Sequence, residues 1–223
     1  MSALTGLQVI ELGQLIAGPF AAKTLADFGA DVIKIETPKT GDPLRKWRLL
    51  KDGTSVWWQV QSRNKRSVAL DLKDPQAQDI VRQLAKDADV LIENFKSGTL
   101  DKWGFDSAWF EKYAPKLVRC SITGYGSSGT QSALPGYDFI LQAESGLMSI
   151  AGAVDGEPTK YGVAIVDLAT GMMAANAIQA ALLARYRTGK GQAVEVSLFD
   201  TSIALLANVG NSHLATAKDS ARY

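Results

Sequence analysis

The feature that most constrains this chain is an alternation of short apolar runs with helix-like stretches through roughly its first 125 residues. Leu7–Leu12 is dense in apolar and β-branched residues, as a buried strand is. Gly13–Gly18 then reads as a loop, and Pro19 suits the first helical position, where no N–H is needed. Phe20, Leu25 and Phe28 form an apolar stripe that Gly29 closes, and Val32–Glu36 is the next strand. Strand, helix, strand makes a βαβ unit. The pattern returns with a strand at Ser67–Leu72, then Asp74 as N-cap and Pro75 as first helical residue. Ala77, Ile80, Val81 and Leu84 carry that helix to a strand at Asp89–Ile92. Asp106 caps a short helix through Trp109 and Tyr113, and Leu117–Ile122 is a further strand. Helices alternating with apolar strands predict a Rossmann-like α/β fold with a mainly parallel sheet and flanking helices.

Further on, Tyr137–Ile150 and Leu168–Tyr186 read as helical, the second alanine-rich and long, followed by a strand at Ala193–Ser197. A helix starts at Phe199, and Ala217–Tyr223 is a polar tail. The expected division is one large domain over 1–200, with 201–223 beginning a linker towards a second.

Composition removes several classes of function. Lysine and arginine total 24 against 23 acids, a net charge of +1, so no whole-molecule field draws nucleic acid or a membrane. No cationic segment with a long apolar run opens the chain, and the longest apolar stretches are broken by Gly, Asp or Asn before a bilayer span. Cys120 is the only cysteine and His213 the only histidine. An internal disulfide, a cysteine zinc site and a two-histidine relay are excluded, no metal is expected, and a reducing cytoplasm fits.

Four places could carry chemistry. The loop Gly13-Gln14-Leu15-Ile16-Ala17-Gly18-Pro19 opens onto a helix N-terminus, where free N–H groups favour anions. It lacks the dinucleotide fingerprint, and is equally a plain βα turn. Arg63, Lys65, Arg66 and Lys73 crowd around one strand and suit the phosphates of a nucleotide, or simply face water. Glu93-Asn94-Phe95-Lys96-Ser97-Gly98 follows a strand at the end where α/β sheets collect ligands, and is as well a strand-ending turn. Asp167, after an apolar run and before a long helix, reads as an N-cap. The same place stabilises an ionised carboxylate by about 0.3–1 kcal/mol, while partial burial sharpens its reactivity.

In order, these residues resemble the class III (formyl-CoA and carnitine type) CoA-transferase family. The resemblance runs from Ala17-Gly18-Pro19 and Phe28-Gly29-Ala30-Asp31-Val32-Ile33-Lys34-Ile35-Glu36, through Gly41-Asp42, Asn64-Lys65-Arg66-Ser67, Leu70-Asp71-Leu72-Lys73 and Asn94-Phe95. It continues at Gly124-Tyr125-Gly126, Gly136-Tyr137-Asp138, Ser145-Gly146, Asp167 and Thr188-Gly189-Lys190-Gly191-Gln192. It implies that coenzyme A is substrate and product, with Asp167 as nucleophile passing through an acyl-aspartyl anhydride and an aspartyl-CoA thioester. It places CoA along Ile16, Ala17, Leu70, Asp71, Leu72, Lys73, Asn94, Phe95, Lys96, Lys102, Tyr137 and Asp138. It places the acyl group near Gln14, Trp47 and Trp57. It further implies interlocked homodimers of longer chains, small-molecule acyl-CoA and carboxylic acid partners, and hence a chain that is an N-terminal portion. Ile16 stands where formyl-CoA members carry glutamine, and Thr37 where a basic residue follows Ile-Glu, which points away from formyl or oxalyl substrates. Members that this chain closely resembles act on dicarboxylic or short branched acids, and the resemblance implies such substrates here.

Two alternatives stand beside transfer. An acyl-CoA racemase of the same family places a histidine before Asp138, where this chain has Tyr137, and a phenol of pKa about 10 is a poor base at neutral pH. A non-catalytic nucleotide-binding module leaves Asp167 as a cap.

Overall fold

Alternation of side chains along the first strand sets the layering. In β1 (Gln8–Glu11) Val9 faces one apolar cluster and Ile10 the other, so both faces of the sheet must be covered. The computed structural model describes residues 2–220 and 222. β1 pairs in parallel with β2 (Asp31–Glu36) and β6 (Val90–Glu93), and β2 pairs with β5 (Lys65–Ala69). β6 pairs with β7 (Val118–Thr123), and β7 with β8 (Ala193–Ser197), all in parallel. The order β5-β2-β1-β6-β7-β8 reads 3-2-1-4-5-6 along the chain, the doubly wound pattern whose direction reverses between β1 and β6. Apart from this sheet, β3 (Leu50–Lys51) and β4 (Thr54–Ser55) form a small antiparallel hairpin.

On one face lie α1 (Ala17–Asp27) and α7 (Ile165–Thr188), which bury Ala21, Ala22, Leu25, Ala174, Ala175 and Ile178. The alanines have a geometric cause: a Cβ on Gly171 would lie 2.8 Å from the Ala17 carbonyl oxygen, so the helices pack nearly backbone to backbone. The 24 residues of α7 are apolar and long enough for a bilayer by length and composition, a length the broken apolar runs did not suggest. Its small-residue face is instead buried in the domain core. Opposite, α3 (Pro75–Asp87) and α5 (Ser107–Tyr113) pack Val81, Ala85 and Phe110 against Leu91 and Ile35. Both start as the sequence predicts, with Asp74 Oδ1 accepting from Gln76 N at 2.9 Å and Asp106 Oδ1 from Trp109 N at 2.7 Å.

Several boundaries differ from expectation. The β2–β5 ladder ends at Glu36 opposite Ala69, so Leu70–Lys73 leave the sheet. Asp71 Oδ1 accepts from Lys73 N there, turning the chain into α3. α1 begins at Ala17, which puts Pro19 inside the first turn, where its missing N–H still costs nothing. The helix expected over Tyr137–Ile150 is only α6 (Asp138–Glu144), stopped near Gly146, whose φ is +87°. Elements with no clear sequence signal are α2 (Val56–Gln61) and α4 (Thr99–Lys102). α8 (Leu198–Leu205) is followed directly by α9 (Ala207–Thr216), so the expected division at residue 200 falls inside α8. Of the expected polar tail, Ala221 and Tyr223 lie outside the described residues, as does Met1 of the first domain.

Candidate active site

A cavity of about 920 Å³ opens at the carboxyl ends of the strands, across the point where strand order reverses. Gln14–Ala17 reach it from the end of β1, Asn94–Ser97 from β6, Thr123 and Gly124 from β7, and Leu198 from β8. Tyr137 and Asp138 at the start of α6, and Asp167 in the first turn of α7, complete it with Trp47 and Trp57. The two indole rings stand 6.4 Å apart at 54°. Gln14, Ile16, Ala17, Trp47, Trp57, Asn94, Phe95, Lys96, Tyr137, Asp138 and Asp167 therefore meet in one cavity.

Leu70, Asp71, Leu72, Lys73 and Lys102 do not line it. Leu70 and Leu72 pack beside Phe95 against the cluster under α3, while Asp71, Lys73 and Lys102 are exposed. Residues 70–73 sit apart because β5 ends at Ala69, and Lys102 ends α4. The basic run is largely committed elsewhere. Arg63 and Asn64 donate to Asp27, Arg66 pairs with Asp31, and Lys65 lies 2.7 Å from the buried Glu11 carboxylate.

Asp167 is not the N-cap. The capping position of α7 is Ala164, which offers no side-chain bond, and Asp167 lies one turn in. The cap comes from α6: Asp138 Oδ2 accepts from Val166 N at 2.8 Å and Asp167 N at 3.1 Å, satisfying the helix's open donors. Asp138 Oδ1 accepts from Gln142 Nε2 at 2.5 Å, and Gln142 Oε1 accepts from Tyr161 N at 2.9 Å. The carboxylate of Asp138 is thus engaged in holding α7. The Asp167 carboxylate has no hydrogen bond or ion pair among the described residues. Burial first, and the neighbouring Asp138 charge second, push its carboxyl up to about 7. A desolvated carboxylate without a counter-ion, facing a cavity, is suited to nucleophilic attack or proton transfer.

Asn94 also has a structural task, since its Oδ1 accepts from Gln14 N at 2.8 Å and its Nδ2 donates to Gln14 O at 2.9 Å. The loops after β1 and β6 are locked together across the switch point. Beneath them, burial lifts the Glu93 carboxyl to about 7, while the Phe95 N–H pulls the other way. Sequence reasoning missed Arg48, Gln142, Lys160 and Tyr161, all on the cavity. Arg48 is delivered by a left-handed turn, φ +62°, which no glycine or asparagine signals. Among the described residues no group of three or more His, Cys, Asp or Glu side chains could hold a metal ion.

Fold and site together define a doubly wound α/β domain with a half-buried carboxylate, Asp167, facing a cavity at its switch point. The chain belongs to CoA-transferase family III, which it matches over residues 4–223. It is 44% identical to the succinate–glutarate CoA-transferase of Agrobacterium fabrum, over 96% of this chain and 56% of that protein. It is 43% identical to the succinyl-CoA:glutarate CoA-transferase of Mus musculus, over 100% of this chain and 51% of that one. The crystal structure of a CaiB/BaiF family protein from Brucella suis superposes with a TM-score of 0.94 at 42% identity, over 99% of this chain and 60% of that one. The chain spans about half the length of the curated relatives it matches.

Proposed function

We propose that the chain carries the nucleophile and the CoA-binding surface of an enzyme that moves coenzyme A from an acyl-CoA to a carboxylic acid. The observation that carries this reading is the Asp167 carboxylate, half-buried and with no ion-pair partner among the described residues, in a cavity large enough for an extended thioester. Asp167 attacks the thioester carbonyl, the C–S bond breaks, and an acyl-aspartyl anhydride and CoA thiolate form. The thiolate attacks the aspartyl carbonyl, giving an aspartyl-CoA thioester and releasing the donor acid. The acceptor carboxylate then displaces the thiolate to form a second anhydride. The thiolate takes the acceptor's acyl group and frees Asp167. Each step exchanges one activated acyl group for another, so one difficult transfer is divided into several smaller ones.

The α-helical start of α7 serves this chemistry in a second way. Asp138 caps the helix through backbone donors, and among the described residues neither oxygen of Asp167 accepts a hydrogen bond that would lower its reactivity. Dicarboxylic acceptors fit best, because Arg48 and Lys160 offer cations on the cavity wall for a distal carboxylate. Relatives named for succinate and glutarate point the same way. A racemase reading finds no support: Tyr137 precedes Asp138, and His213 lies exposed on α9, 3.5 Å from Asp219. In the same reading residues 1–200 are the CoA-binding domain, 201–223 lead into a second one, and the complete protein is a cytoplasmic homodimer. Incubating that protein with succinyl-, acetyl- or glutaryl-CoA and hydroxylamine should leave a hydroxamate on Asp167, and labelled CoA should pass to added acids. CoA exchange at the wild-type rate in Asp167→Asn would end the assignment.

A further inference from the structure

The loop between β1 and α1 is held at several of its backbone groups by side chains from elsewhere. Lys34 Nζ donates to Gly13 O at 2.7 Å, Asn94 brackets Gln14, and Gln61 Nε2 donates to Ile16 O at 3.3 Å. Between them stands Leu15, with φ +65°, a left-handed conformation that its Cβ disfavours. Its N–H is aimed at the Asp42 carboxylate, 3.2 Å from each oxygen. Such a conformation persists in a branched-chain residue only when its surroundings over-determine it.

Asp42 is itself fixed from every side. It is 1% exposed, its own N–H donates to Glu36 Oε2 at 2.8 Å, and its Oδ1 accepts from Leu44 N at 2.9 Å. Lys34 Nζ lies 3.0 Å from its Oδ2 and 2.7 Å from Glu11 Oε1, and Lys65 Nζ lies 2.7 Å from Glu11 Oε2. Two lysines and two carboxylates form a neutral cluster whose side chains are no more than 2% exposed. Burying such a cluster is a poor way to gain stability, since an apolar replacement of equal volume often does as well or better. Its place directly under the loop, with Asp42 and Lys34 each spending a bond on that loop's backbone, indicates what it is for.

We propose that Asp42, neutralised by Lys34, is a positioning residue for the transfer reaction: it pins Leu15 in its left-handed conformation and so sets the Gln14–Ala17 wall of the cavity that Asp167 also lines. The inference rests on the transfer reading above. In the complete protein, Asp42→Asn keeps the shape but weakens the anchor. The turnover rate for CoA exchange falls by about tenfold or more, while KM for acyl-CoA changes far less, because a small displacement near reacting atoms acts on the chemical step. Amide exchange at Leu15 accelerates with it. Adding Leu15→Gly to Asp42→Asn restores part of the lost rate, since glycine holds this conformation without steric cost. A merely structural role would predict neither the rescue nor a loss confined to turnover. Should Asp42→Asn fail to fold, the wild-type Leu15 amide decides the matter: it must exchange about a hundredfold or more slowly than in an unstructured peptide. An unprotected Leu15 amide, or Asp42→Asn at the wild-type turnover rate, or a double variant as slow as the single one, overturns the proposal. Absence of CoA exchange in the wild type would refute the transfer reading instead, and leave the amide measurement to judge the anchor.

Discussion

Replacing Asp167, the proposed nucleophile, should stabilise the protein, by an amount that depends on pH. Asp167 has a carboxyl raised from 3.8 to about 7, so the folded state binds its proton more tightly than the unfolded state does. For a raised carboxyl the consequence is a loss of stability as pH climbs from the unfolded value to the folded one. Below the unfolded value the residue costs nothing, and above about 7 the full penalty applies. A shift of this size corresponds to a ceiling of about 4 kcal/mol. Asp167 is only partly buried by its accessible surface, so solvent screening reduces that to about 2 kcal/mol. The side-chain amide of the Asp167→Asn variant carries no charge to desolvate and does not repel Asp138. Asp167→Asn should therefore melt about 4–8 °C higher than wild type near pH 8, for a domain of this size, and no higher near pH 4. Urea unfolding at the two pH values gives the free energies directly, with unchanged m-values showing that the same surface is exposed. Equal or lower stability near pH 8 would refute the reasoning, as would a gain that persists unchanged near pH 4. Either result would mean that Asp167 is solvated or paired in a way the site geometry denies.

The remaining expectations address rate, packing and specificity. If the ionised carboxylate is the attacking species, kcat/KM rises with pH and levels off above about 7; a profile flat from pH 5 to about 9 would remove Asp167 from the rate-limiting chemistry. A Cβ on Gly124 would lie 2.5 Å from Gly136 N, backbone against backbone, so Gly124→Ala should cost about 1–3 kcal/mol or more in chemical unfolding and open the cavity wall, and full stability would show that the two segments part freely. Arg48→Met should raise KM for a dicarboxylic acceptor by about tenfold while sparing a monocarboxylic one of similar length, and equal effects on both would place Arg48 elsewhere.

The sheet was legible because its signals are local. A strand buried on both faces must be largely apolar, as Val9, Ile10 and Leu12 and the run Val90–Ile92 are, and an Asp before Pro75 or before Trp109 caps a helix within three residues of itself. The nucleophile's place at Asp167 was only implied by the resemblance; the structure shows that this residue lines the cavity.

What surrounds Asp167 was not legible. Its helix is capped by Asp138, 28 residues before Val166, and that pairing exists only because α6 packs on α7. The basic run 63–66 looked free for phosphates because a sequence shows charges without their partners. Parallel pairing of β5 with β2, and of β2 with β1, sets Lys65 over Glu11 and Arg66 beside Asp31, and so assigns those cations to the domain itself. The chain's own pattern thus determined the alternating strands, the caps and the parallel α/β class, because neighbours two to four residues apart decide hydrophobic periodicity and capping. Tertiary structure alone decided which charges are buried together, which backbone turns left-handed at Leu15, and how far water is kept from Asp167. Those depend on the register between strands distant in sequence, and desolvation is a property of the assembled site rather than of any residue in it.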